Sequence, residues 1–251
     1  MQHSLIAKLI GLFLLYPLSI NSALSQNIDT QLLSNQLEKN LNEKKHNLLK
    51  DLFLEKSFRK FDKQYLEFRQ NYKDAKWSIK TIRNHQENTF LDVEITSTRE
   101  IADQVYNLYS KQTVKIEVFQ NKIKSYKVIY EESTLNSQKS PLVVKVISPN
   151  KVLTGEKYEM NLIIEKPLDH SLIASGMIVI KNNENRNISN NQFGIEPNQS
   201  GGLFKYIQAP LKPGFQTISA IITHPQGIFS FTKKIKVGLS KPNFDNSKIK
   251  F

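Results

Sequence analysis

QVYNLYSKQTVKIEVFQNKIKSYKVIY, residues 104–130, is the stretch on which the fold turns. Apolar and polar residues alternate along it, as in Val114, Ile116 and Val118 against Lys115 and Glu117. That period of two is the pattern of a strand with one face buried. The polar pair Gln120-Asn121 interrupts the alternation for only two residues, which makes Gln104–Phe119 and Lys122–Tyr130 the arms of a hairpin. Upstream, Trp77–Ile82 and Phe90–Thr98 alternate in the same way, with Asn84-His85-Gln86-Glu87-Asn88 as turn material between them. Before Asp74 the period changes. Leu33, Leu37, Leu41, Leu48, Leu52, Phe58, Phe61, Tyr65, Phe68 and Tyr72 recur at spacings of three, four or seven, the stripe of one helix or of two consecutive ones. A break is expected near Glu55–Ser57, with Ser57 capping the second helix. Helices followed by antiparallel strands predict an α+β unit over residues 26–134, its helices lying on one face of a four-stranded antiparallel sheet and its other face solvated.

Leu135-Asn136-Ser137-Gln138-Lys139-Ser140-Pro141 is polar and reads as a linker, residues 135–141. Beyond it the apolar runs are short: 142–148, 158–165, 174–181, 186–189, 203–208, 215–223 and 228–237. Turn signals such as Gly201-Gly202, Pro213-Gly214 and Pro225-Gln226-Gly227 separate them. Short strands at such intervals predict an all-β sandwich over residues 142–238. Residues 239–251 form a polar, basic tail.

The N-terminus places Lys8 before the apolar run Leu9–Leu18 and the small residues Ala23 and Ser25 further on, the three parts of a secretory signal cleaved before Gln26. Residues 1–25 are therefore expected to direct the chain to an extracytoplasmic location, a periplasm, a lumen or the medium, with no membrane span left after cleavage. The chain has no cysteine, which excludes disulfides, thiolate catalysis and sulfur-ligated zinc. Its formal net charge is +12. The excess leans to the C-terminal part, where residues 141–251 carry 14 Lys and Arg against 7 Asp and Glu. A basic surface of this kind attracts acidic polymers, anionic lipid or an acidic protein, and in an exported chain these come before any specific nucleic acid.

Leu211-Lys-Pro-Gly-Phe-Gln-Thr-Ile-Ser-Ala-Ile-Ile222, then Gly227–Phe231 and Ile235–Val237, form a proline-glycine corner, an alternating strand, a glycine turn and a closing strand. This resembles the last hairpin of bacterial immunoglobulin-like or fibronectin type III-like sandwiches. The antibody-type Cys, Trp, Cys core is missing, so the resemblance is to the broader architecture and says little about function. The N-terminal elements, helices ending at Phe68–Tyr72 and then a short strand, two long strands and a hairpin, more weakly resemble the cone-shaped nuclear transport factor 2-like, or ketosteroid isomerase-like, fold. That superfamily includes isomerases, dehydratases and noncatalytic binding modules.

If the cone resemblance holds, a pocket lies between helices and sheet, and alternation gives the inward row of the third strand as Tyr106, Leu108, Ser110, Gln112, Val114, Ile116 and Val118. Tyr106, Ser110 and Gln112 are then a candidate ligand-binding set; the alternative is a row that leaves the core near Ser110 or is broken by a bulge. An isomerase needs an inward carboxylate. On the second strand Leu91, Val93 and Ile95 face inward, which turns Asp92 and Glu94 to water. Glu43 and His46 supply only half of a di-iron carboxylate motif, and His85, His170 and His224 fall in turns. The expectation is a noncatalytic binding or adaptor protein of the cell envelope, with a protein or acidic envelope surface as partner, without cofactor, metal or catalytic residues. A small-ligand carrier or enzyme using the cone pocket is the alternative.

Overall fold

A computed structural model of the chain describes residues 30–83, 89–166, 168, 171–180, 194–198 and 201–239. The signal segment at 1–25, the tail beyond Leu239, His85, His170 and the strand expected at 186–189 lie outside the described residues.

Three helices open the described chain: α1 (Thr30–Asn42), α2 (His46–Asp51) and α3 (Glu55–Asn71). In α1 the i, i+4, i+8 residues Leu33, Leu37 and Leu41 are buried. The expected single break is in fact two. Lys44 takes a left-handed φ of 57° and ends the first helical path, so the phase restarts in α2. Leu49, fully buried, therefore occupies the core position expected of Leu48, which is 46 % exposed. Ser57 does not cap α3; Leu54 stands at that position. Ser57 is buried, and its hydroxyl is placed against both Leu54 O (2.8 Å) and Ile123 O (2.6 Å), fastening the start of α3 to the sheet.

The first four strands are β1 (Lys76–Arg83), β2 (Thr89–Ile101), β3 (Gln104–Phe119) and β4 (Lys122–Ser137), each antiparallel to the next. Gln120 and Asn121 have φ of 49° and 60°, the mirror-image turn that matches strand twist, and the expected hairpin forms there. Eight further strands follow: β5 (Val144–Ile147), β6 (Lys151–Leu153), β7 (Lys157–Ile164), β8 (Ile173–Ile180), β9 (Glu196–Asn198), β10 (Gly202–Gln208), β11 (Gly214–His224) and β12 (Gly227–Gly238).

Their pairing overturns the expected fold class. The helices do not sit on a four-stranded sheet of their own, and no separate all-β sandwich follows. β4 runs on through Leu135–Ser137, residues read from sequence as linker, and along Glu131–Asn136 it pairs with β12. An antiparallel strand with a free edge carries unpaired N–H and C=O groups, and β12 satisfies them. The result is one nine-stranded, largely antiparallel sheet in the order β1-β2-β3-β4-β12-β11-β8-β9, with β6 parallel to the end of β12. A second sheet has the order β10-β7-β5. The chain is predominantly β.

The registers show how one sheet serves two cores. Leu91, Val93 and Ile95 share a face with Val114, Gln112 and Ser110, and through Glu131 and Ser133 with Lys234 and Thr232. On the β1–β4 part of this face lie the helices, in a cluster with Leu37, Leu49, Phe58, Trp77 and Ile79. On β12 and β11 the opposite face is the buried one: Phe231, Ile235, Ile218 and Ile222 pack with Met160, Leu162, Leu203 and Ile207 of the small sheet. Helix layer and small sheet thus cover opposite faces of the same sheet.

The seam between β4 and β12 is reinforced at two points. Lys233, 5 % exposed, reaches Glu132 Oε2 at 3.0 Å. At the other end Gly227, with φ of 153°, lies against Ser137, where an added Cβ would come within 2.5 Å of the Ser137 Cβ. The Ser137 hydroxyl accepts from the Ile228 amide at 2.9 Å. Only glycine combines that φ with that approach.

Candidate functional site

α3 crosses the sheet without filling the space beneath it. Its stripe of Phe58, Phe61, Tyr65 and Phe68 stacks largely on itself: Phe61 is 4.7 Å from Phe53 and 5.6 Å from Tyr65 between ring centroids. The rings form a roof, and the aliphatic row of β2 and β3 forms a floor. Between them is a cavity of about 340 Å³, lined by residues that include Phe53, Phe61, Phe68, Val93, Ile95 and Ile116. This is within the ~300–1,000 Å³ typical of small-molecule sites. Among the described residues that line it, the side chains with polar atoms are Gln64, Tyr65, Trp77, Gln112 and Tyr126.

Of the three residues expected to bind a ligand, Gln112 lines the cavity, with its Nε2 3.5 Å from Glu131 Oε1. Ser110, the next residue on the same face, is 4 % exposed, and its hydroxyl lies 2.7 Å from that of Ser133. Tyr106 is half-buried further along β3, paired in register with Arg99 and Ser137, and does not line the cavity. The cavity therefore gathers Gln112 with residues other than Ser110 and Tyr106.

Gln64 and Tyr126 were missed. The Tyr126 hydroxyl donates to Gln64 Oε1 at 2.8 Å, tying β4 to α3 beside the cavity. Burial pushes the Tyr126 phenol up to about 12. Gln64 had a readable signal, since it lies three residues from Phe61 and four from Phe68 on the helical stripe. Tyr126 had none. The register with β3 slips at Glu117/Val118 and again at Thr113/Val114, so Lys124 and Ile129 are extra residues on β4. The bulges let Tyr126 and Val128 line the cavity, while Tyr130 pairs with Thr113 and directs its hydroxyl to Glu132 Oε2 at 2.9 Å.

Asp92 and Glu94 lie on the face away from the helices, opposite Thr113 and Lys111, with Lys111 Nζ 4.0 Å from Asp92 Oδ2. His46 is placed between the rings of Phe58 and Tyr65, with Nε2 2.5 Å from Asp62 Oδ1. The His224 Nδ1 accepts from the Gln226 amide within its own turn. Among the described residues no group of three His, Asp or Glu side chains is placed to hold a metal ion. No described helix is long and apolar enough to cross a membrane.

Residues 139–238 match a family described as a domain of unknown function (DUF8623), a span that takes in β5 to β12. The helices and the cavity lie outside it. No curated protein matches the chain.

Proposed function

We propose that this chain is a noncatalytic extracytoplasmic binding protein of the cell envelope, and that it binds a small apolar ligand in the cavity between α3 and the sheet. The cavity itself carries the proposal. An empty apolar cavity forgoes ~24 cal/mol per Å³ relative to packed interior, so a closed hollow of about 340 Å³ would forgo roughly 8 kcal/mol. That is an upper bound for a cavity with a mouth, yet it compares with the ~5–15 kcal/mol that holds a whole domain together. A ligand offsets the loss by removing apolar wall from water.

The lining supports binding over catalysis. Amides, phenols and an indole orient a ligand by neutral hydrogen bonds, and the strand carboxylates Asp92 and Glu94 lie on the other face of the sheet. In this proposal the helix-roofed part keeps its likeness to the cone-shaped nuclear transport factor 2-like fold. The two facing layers of residues 142–238 keep theirs to immunoglobulin-like sandwiches, as an interaction module for a protein or acidic envelope surface.

A neutral apolar dye such as N-phenyl-1-naphthylamine tests the cavity. It is expected to bind one to a chain with enhanced fluorescence, and Val93→Phe, which fills the floor, is expected to weaken it at least tenfold while the thermal midpoint holds. Dye binding that Val93→Phe leaves unchanged would refute the proposal. Export is tested by N-terminal sequencing of the mature protein, expected to begin at Gln26.

A further inference from the structure

Leu37, Leu41, Trp77, Ile79 and Leu91 form the deep, buried wall of the cavity, whereas Gln64 is exposed and Phe68, Gln112 and Val128 are half-exposed. The mouth therefore lies between α3 and the β3–β4 ladder, on the side of the sheet that continues into β12. Cations collect there. Lys234 of β12 donates from Nζ to Val128 O at 2.7 Å. Its ammonium lies 5.0 Å from the centroid of the Phe215 ring. Lys60 Nζ is 5.5 Å from the centroid of Tyr126, itself a cavity residue. The carboxylate on this row is Glu131, which accepts from Gln112 and pairs in register with Lys234. Two ammonium groups, those of Lys60 and Lys234, against one carboxylate leave a positive rim on an apolar hollow, and low-dielectric walls concentrate that field at the mouth.

We infer that the cavity takes a single-chain amphiphile with an anionic head, its acyl chain lying between α3 and the sheet and its head against Lys60 and Lys234. The inference rests on the cavity being the ligand site. At ~30 Å³ per water-sized group the hollow holds on the order of ten such groups, which sets the chain at about ten carbons. A neutral head gains hydrogen bonds to Gln112 and Gln64. An anionic one gains charge-assisted bonds to the lysines as well.

Trp77 is the single tryptophan of the chain and lines the cavity, so its emission reports occupancy. The experiment titrates the purified protein at low salt, below micelle formation, with decanoate and with decan-1-ol. Both are expected to shift Trp77 emission, decanoate binding at least tenfold more tightly. Lys60→Gln with Lys234→Gln is expected to abolish that preference and leave decanol affinity and the thermal midpoint unchanged, which shows the variant folded. Equal affinity of the native protein for the two probes, or a preference that survives the double substitution, overturns the anionic head and leaves the apolar cavity standing. No Trp77 response to either probe overturns the cavity itself. Vesicles of phosphatidylglycerol added to the decanoate complex separate the sources: displacement of decanoate assigns the chain to a membrane lipid and retention to a free acid, either one keeping the anionic amphiphile.

Discussion

Replacing Phe231 by alanine tests whether the two cores are one cooperative unit. Phe231 is 1 % exposed and packs against the small sheet, in the core remote from the helices. Its strand also carries the seam, where Phe231 pairs in register with Thr134 of β4. Truncating a fully buried phenylalanine costs about 3–5 kcal/mol. With an m-value of ~1–3 kcal/mol/M in urea, the midpoint should fall by roughly 1–5 M. Trp77 sits in the helix-covered core and reports that part alone. Far-UV circular dichroism follows both. Because β4 and β12 share a ladder, unfolding β12 strips β4 of its partner and exposes the edge, so both probes should move together by the same amount. A circular dichroism transition that shifts while the Trp77 transition stays in place would refute the reasoning, since the seam would then transmit no stability between the cores.

The buried pair at the seam makes a second prediction. Glu132→Ala strands the Lys233 ammonium, buried but for a 3.5 Å approach to Ser148 O, and should cost about 1–3 kcal/mol by urea unfolding, less than the ~3–5 for a fully sealed pair because Glu132 is 39 % exposed. Replacing both, Lys233→Met with Glu132→Leu, should recover most of that loss; a double variant as unstable as the single one would show that the pair is more than a desolvated contact. The third concerns alkali. Burial holds the phenols of Tyr126, Tyr130 and Tyr158 above their ordinary value, to about 12 for Tyr126. A group whose folded pKa is raised contributes stability fully below its unfolded pKa, near 10, and loses it as pH rises through the folded value. The phenols' contribution to the unfolding midpoint should therefore be constant below pH ~9.5 and be lost between pH ~10 and ~12. Tyr126→Phe should remove part of that loss, and an alkaline slope identical in the two proteins would contradict the burial of Tyr126.

Much of the local structure was legible. The Gln104–Phe119 strand, the Gln120-Asn121 turn and the inward set Leu91, Val93 and Ile95 follow from a period of two, which is a property of the backbone pleat and needs no partner. Gln112 could be placed beside the cavity for the same reason. Tyr126 and Val128 could not, because a bulge shifts the phase by one residue and leaves no mark in composition. Leu49 rather than Leu48 in the core follows from the left-handed φ at Lys44, a residue type that does not announce it.

What the sequence determined by itself was therefore the type of the longer elements and, where no bulge or break shifts the phase, the face they bury, since both are set by residues within a few positions of one another. Only the tertiary structure decided that β4 continues through Ser137 and takes β12 as its neighbour, joining the expected two units into one sheet with its cores on opposite faces. Strand pairing is made by backbone N–H and C=O groups that every residue carries alike, so partners a hundred positions apart leave no pattern in the side chains to read.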